Sequence, residues 1–205
     1  MKNPLSTLLC AAVIGALSVT GLRAADAKRD AEGYIRNWLM LAPIPLSGEN
    51  VGAEQIDKEQ IEKEAALQPK AGDKIKVKDM ELTCKAVQSK EAVFDFNEKL
   101  GSPLENVGGY IVAYIVCEKE LTDLVMLVGN NDQGRIYLNG KEVYKHADVG
   151  ALEKDSGKGG KITLNKGVNV IVFKVLNENN NWQGCLRFTD KKEKPVTDYT
   201  VKLAP

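Results

Sequence analysis

Between Leu121 and Tyr144 the sequence LTDLVMLVGNNDQGRIYLNGKEVY carries two apolar, β-branched runs separated by NNDQG, and the second run meets Asn139-Gly140 before the chain turns polar. Asn-Gly between alternating runs specifies a two-residue hairpin turn, because both central residues must take positive φ. The stretch therefore predicts a meander of three antiparallel strands. Its tight turn would pair Leu138 with Lys141 and Ile136 with Val143 on one face, leaving Arg135, Tyr137, Glu142 and Tyr144 together on the other. One face would be mainly core and the other wet.

The rest of the chain repeats this theme. From Asp73 onward KIKV, MELTCKAV and AVFDF read as short strands, followed by a Gly-, Pro- and Asn-rich loop over residues 97–108. GYIVAYIVCEKE is apolar at both alternating sets of positions, which predicts a central strand covered on each side, by the other sheet and by the N-terminal segment or helix. Residues 145–160, with four glycines, read as a long mobile polar loop. KITL and VNVIVFKVL then read as a hairpin about Lys166-Gly167, and WQGCLRFTD and TDYTVKL close the chain. Upstream, an apolar strand over 36–41 stops at Pro43 and Pro45, which cannot donate to a ladder. The one helix expected lies at 57–67, with Asp57 as N-cap and Gln60 three residues on. Roughly ten or eleven strands, with turns about every 8 to 12 residues, point to an all-β antiparallel sandwich with one short N-terminal helix.

The first residues place Lys2 ahead of the apolar run LLCAAVIGALSV, then Gly21-Leu22-Arg23-Ala24 and a charged stretch. This is the pattern of a secretory signal peptide ending near residue 24. It predicts a loose mature terminus over 25–33, a single domain over 34–205, and a secreted or periplasmic protein with no membrane span in the mature chain. Without residues 1–24 the chain keeps 26 basic against 28 acidic residues, a net of −2. Nucleic-acid binding, which needs a basic surface, is not expected.

Three cysteines follow the leader. In an oxidising compartment Cys117 and Cys185, both mid-strand in apolar runs, are the preferred disulfide, with Cys84 left over; the alternative is three buried thiols. No CxxC or Cys/His cluster suggests zinc.

NDQGRIYLNGKEV, KITLNKGVNVIVFKV and NWQGCLRFTDKKEKPV together resemble secreted jelly-roll modules of the galactose-binding-domain-like kind, with a looser likeness to protective-antigen-type domains. NWLMLAPIP is similar to the strand that often precedes such modules. The resemblance implies a jelly-roll-like sandwich that binds carbohydrate or serves as an accessory module of a secreted hydrolase. Where these modules carry an acidic pair in an SDDG-like loop, this chain has Asp132-Gln133.

Candidate binding residues fall into three groups. Trp182 with Asn179, Asn180 and Asn181 places an aromatic ring beside amides, the combination that recognises a sugar ring and its hydroxyls; the alternative is a Trp that lids the core. Asn131 and Asp132 offer oxygens on a loop tip, where calcium is the one cofactor candidate although it wants six to eight ligands; the alternative is an Asx-turn. Arg135, Tyr137, Glu142 and Tyr144 form a sheet-face candidate or an ordinary solvated face. His146 is the only histidine, and no GxSxG or HExxH occurs. The reading is a non-catalytic module contacting a glycan or cell-envelope polysaccharide, with a protein-interaction or envelope-structural module as the alternative and a two-carboxylate glycan hydrolase as the third.

Overall fold

The computed structural model describes residues 30–48 and 51–205; the leader expected over 1–24 and residues 25–29 lie outside them. Its spine is a pair of long strands, β6 (Val107–Cys117) and β11 (Gly167–Asn177), antiparallel in unbroken register from Gly167 opposite Cys117 to Asn177 opposite Val107. The free edge of β6 is shared. β1 (Asn37–Pro45) takes its first half and β13 (Tyr199–Lys202) its last, while β4 (Lys85–Gln88) extends the sheet beyond β1. On the other side β8 (Gly134–Leu138) and β9 (Lys141–His146) complete seven strands. A second sheet runs β10 (Gly157–Leu164), β7 (Leu121–Asn130), β12 (Gln183–Thr189) and β5 (Phe94–Asp95). All these pairings are antiparallel, so the chain is an all-β sandwich.

The two faces of β6 explain why it is apolar throughout. Ile111, Ala113 and Ile115 turn inward with Ile171 and Phe173 to meet Met126, Val128, Leu186 and Phe188 of the second sheet. Tyr110, Val112 and Tyr114 turn outward, where Val172 and Tyr137 join them under a separate cover, residues 51–84. That cover is the excursion between the neighbouring strands β1 and β4. It contains α1 (Val51–Gln55), a 3-10 turn at Glu64–Ala66, and a small ribbon of β2 (Lys74–Val77) with β3 (Met80–Thr83).

Several expectations are corrected. The helix expected at 57–67 does not form: Lys63 adopts the left-handed conformation, φ 55°, and Ile56 and Ile61 are both buried at a spacing no single helix face supplies. A second short helix, α2 (Phe96–Leu100), replaces part of the loop after AVFDF; Asp95 Oδ1 caps it by accepting from the Glu98 amide at 3.0 Å, and Gly101 ends it at φ 77°. The meander is broken at NNDQG, because β7 lies in the four-stranded sheet and only β8 and β9 pair across Asn139-Gly140. KITL and VNVIVFKVL likewise pass from one sheet to the other instead of forming a hairpin. Within the β8–β9 ribbon Leu138 does face Lys141, but a bulge at Val143 sets Ile136 opposite Tyr144, which swings that ring toward the core.

The loop of residues 145–160 shrinks to 147–156, since its ends belong to β9 and β10. It is pinned by the Gly150 carbonyl, which accepts from the Asp132 amide at 2.8 Å, and by Asp155, paired with Arg187. Asp30 anchors the start of the described chain, accepting from the Tyr34 amide at 2.9 Å and pairing with Arg36. No disulfide joins Cys117 and Cys185. Cys117 faces the interior at the end of β6, whereas Cys185 stands opposite Gly129 on the outer face of the second sheet, near the Glu153 carbonyl. Burial pushes the Cys185 thiol up to about 12. Among the described residues no helix is long and apolar enough to cross a membrane.

Candidate functional site

At one end of the sandwich the 130–134 crossing and the 177–181 turn are locked together. Asp132 takes a left-handed conformation, φ 54°, which aims its carboxylate at the neighbouring turn. There Oδ2 accepts the Glu178 amide at 2.8 Å, and the nearby backbone amides of Asn179 and Gly150 also favour its charged form. Burial outweighs these bonds and raises its pKa. Gln133 donates through Nε2 to Glu178 Oε1 at 2.8 Å, and its carbonyl accepts the Leu176 amide at 2.9 Å. The Gln133 side chain lies against Gly52, where a Cβ would fall 1.9 Å from Oε1. A side chain at position 52 would displace the Gln133 carboxamide from this place.

The frame extends sideways. Asn130 donates to the Asp132 carbonyl at 2.6 Å and accepts the Tyr144 hydroxyl at 2.9 Å; Asn131 donates to the Gly150 carbonyl at 3.1 Å. Asn97 of α2 donates to the Asn180 carbonyl at 2.9 Å, and Asn177 to the Leu104 carbonyl at 2.6 Å. The oxygens Asn131 Oδ1, Gln133 Oε1 and Asn177 Oδ1 are buried without a protein partner. What faces solvent is the row Asn179, Asn180 and Asn181.

Trp182 is not exposed beside that row. Its ring is fully buried, stacked on Phe96 at 4.3 Å and 10°, with Nε1 donating to the Val175 carbonyl at 3.1 Å. The aromatic platform is thus a core residue, because α2 carries Phe96 over it. Asn131 and Asp132 are buried braces, and every contact of the Asp132 carboxylate named above is to a backbone N–H donor. No group of three or more His, Cys, Asp and Glu side chains among the described residues could hold a metal ion.

The sheet-face candidates also do other work. Arg135 pairs with Glu142 at 2.5 Å and reaches the Ile56 carbonyl and Asp57 at 3.3 Å. Lys145 grips both Asp57 oxygens at 2.6 Å, and its hydrogen bond holds that carboxyl below the usual range. Tyr137 is buried and donates to Glu64 Oε1 at 2.8 Å. Tyr144 has left this face altogether. Arg135 and Tyr137 therefore attach the 51–84 cover, while Glu142, itself exposed, braces Arg135.

Beneath that cover lies a charged cluster that no motif in the sequence marks. Lys174, in mid-β11, is fully buried; its Nζ donates to the carbonyls of Gln55 and Ile56 at 3.2 Å and of Lys58 at 2.6 Å, and pairs with Glu64 at 3.2 Å. Glu64 also accepts the Tyr110 hydroxyl. Burial lowers the Lys174 pKa, against the pull of Glu64, and raises that of Tyr110 far above the ordinary phenol value. A signal was present: Lys174 is the one charged residue in a run that is otherwise apolar on both faces, VIVFKVL.

No protein-family model matches the chain, and no curated protein matches it.

Proposed function

We propose that this chain is an exported, non-catalytic binding module that contacts a polyhydroxylated ligand, a glycan or cell-envelope polysaccharide, through the amides of Asn179, Asn180 and Asn181. The observation that carries the reading is the frame behind them. Asp132 and Asn97 hold the backbone of the turn and Gln133 holds the Glu178 side chain, so the backbone that carries the exposed amides is positioned before a ligand arrives and little ordering cost attends contact. With Trp182 inside the core, affinity rests on hydrogen bonds alone, and dissociation constants toward the millimolar end, about 4 to 5 kcal/mol, are expected. Glycan-array or titration binding by the wild type, abolished in Asn179→Ala/Asn180→Ala while the melting temperature holds, supports the reading. Binding that survives this double substitution ends it.

A second reading, a protein-interaction or envelope-structural module, is favoured by one feature: every described aromatic residue is buried or half-buried, which leaves no exposed ring for a sugar to stack on. Absence of glycan binding, combined with concentration-dependent self-association, supports that alternative.

A further inference from the structure

Residues 51–84 are attached to the sandwich in an unusual way. Their described backbone hydrogen bonds are all internal, among them Ile56 to Gly52, Gly72 to Cys84, and the β2–β3 ribbon. Every described hydrogen bond that crosses to the sheet uses a side chain: the Lys174 ammonium on three carbonyls and Glu64, Arg135 and Lys145 on the Ile56–Asp57 corner, the Tyr137 hydroxyl on Glu64, the Tyr114 hydroxyl on the Pro69 carbonyl at 2.8 Å, and Lys78 on the Pro45 carbonyl. Tyr110 is the sixth such residue of the sheet, donating to Glu64 and accepting the Gln60 amide at 3.3 Å. Strands within a sheet share a ladder, and breaking one rung exposes its neighbours. A cover docked by side chains has no ladder to share.

We propose that residues 51–84 open and close as one unit over the outer face of the seven-stranded sheet while the sandwich beneath stays folded, with the Lys174–Glu64 pair as the latch. The apolar side of the contact, Ile61, Leu67, Val77 and Leu82 against Val112 and Val172, favours closure. The latch contributes less than its geometry suggests, because both ions regain their hydration when the cover lifts. It sets where the cover sits more than how tightly. Both ends of the segment return to adjacent strands, β1 and β4, so lifting it breaks no pairing in either main sheet. Opening would uncover Tyr110, Tyr114 and Tyr137 around an ammonium group, a face that is buried in the closed form. Sub-global opening of such a unit, at a free energy below that of complete unfolding, is the behaviour expected where contacts within a region outnumber the cooperative links to its surroundings.

The chain carries its own reporters. Cys84 lies in the covered layer, 1% exposed, and Cys117 in the sandwich interior, 2% exposed. Iodoacetamide labelling of the native full chain, read at each cysteine by peptide mass spectrometry, tests the proposal. Cys84 is expected to react at least tenfold faster than Cys117, with a shallower dependence on added urea. In Glu64→Gln the Cys84 rate should rise a further tenfold with Cys117 unchanged. Equal rates at the two thiols across the urea series would overturn the proposal, and since that comparison needs only the wild type, it stands even where the Glu64 variant fails to fold. A Cys84 rate that does not change in a folded Glu64→Gln chain would remove the latch from it.

Discussion

The loop end and the outer-face cover lie against the same long strand, β11, and are held to it by opposite means. At the loop end, backbone groups carry the attachment: the Gln133 carbonyl takes the Leu176 amide, the Asn106 amide reaches the Glu178 carbonyl, and Asp132 gathers amides that no strand uses. Over the outer face, cations and phenols from the sheet reach up to a segment whose own backbone never joins it. The first arrangement inherits the cooperativity of the sheets and should melt with them. The second rests on apolar contact and a buried ion pair, so its integrity should respond to single charges and to pH.

The largest expected effect probes the loop end. Trp182→Ala removes a ring stacked on Phe96 and packed against Gly109, and should cost about 3 to 5 kcal/mol in urea denaturation, with the whole sandwich unfolding together. A loss confined to the 177–181 turn would show that the loop end is less tightly coupled than argued. Next in size is Glu64→Ala, which strands the Lys174 ammonium among carbonyls; on the order of 3 kcal/mol is expected, appearing as protease cleavage within 51–84 before the main transition. Cleavage equally distributed along the chain would break the contrast between the two regions.

Alkali should sharpen it. Tyr110 and Tyr137 are raised well above the ordinary phenol value of 10 and Tyr114 to about 12, all three beneath the cover, whereas Tyr144, also pushed up to about 12, is the one such phenol at the loop end. Desolvation leads in each case. Because the folded state holds these protons more tightly than the unfolded chain, their contribution is complete below pH 10 and is lost as pH rises from 10 through the raised values. Thiol labelling at Cys84 should therefore accelerate above pH 10 beyond what thiolate formation in a model peptide accounts for, before circular dichroism reports any loss of the sandwich. Simultaneous loss would place the phenols' influence on the sandwich itself. The smallest effect is expected from Asp57→Ala, since its carboxylate is more than half exposed and surface pairs such as Asp57–Lys145 are worth about 0 to 1 kcal/mol. A melting-temperature change beyond a few degrees would mean that the Ile56–Asp57 corner matters more to the cover than the Lys174 latch.

Much of the framework was legible in the chain. The double-sided apolarity of GYIVAYIVCEKE announced a strand covered on both faces, and Asn139-Gly140 does form the turn that opens the β8–β9 ribbon with Leu138 opposite Lys141. The candidate site was legible only in part. That NNDQG and NENNN both lie in polar connections was visible, but not that Asp132 would turn inward onto the Glu178 amide, nor that Phe96 would claim the face of Trp182. A bulge at Val143 was enough to send Tyr144 to the opposite face from Arg135, since one extra residue inverts every side chain beyond it.

By itself the sequence determined the strand-forming segments, their alternation and the tight turns, because these depend on side chains within a few positions of one another. Tertiary structure alone decided which sheet each strand joins, which amides stay in solvent, and that Lys174 and Glu64, separated by more than a hundred residues, bury their charges together. Alternation records that a face is covered and is silent about what covers it. Here an excursion between two neighbouring strands does so, and its partners were chosen by shape and charge at a distance that no local pattern can encode.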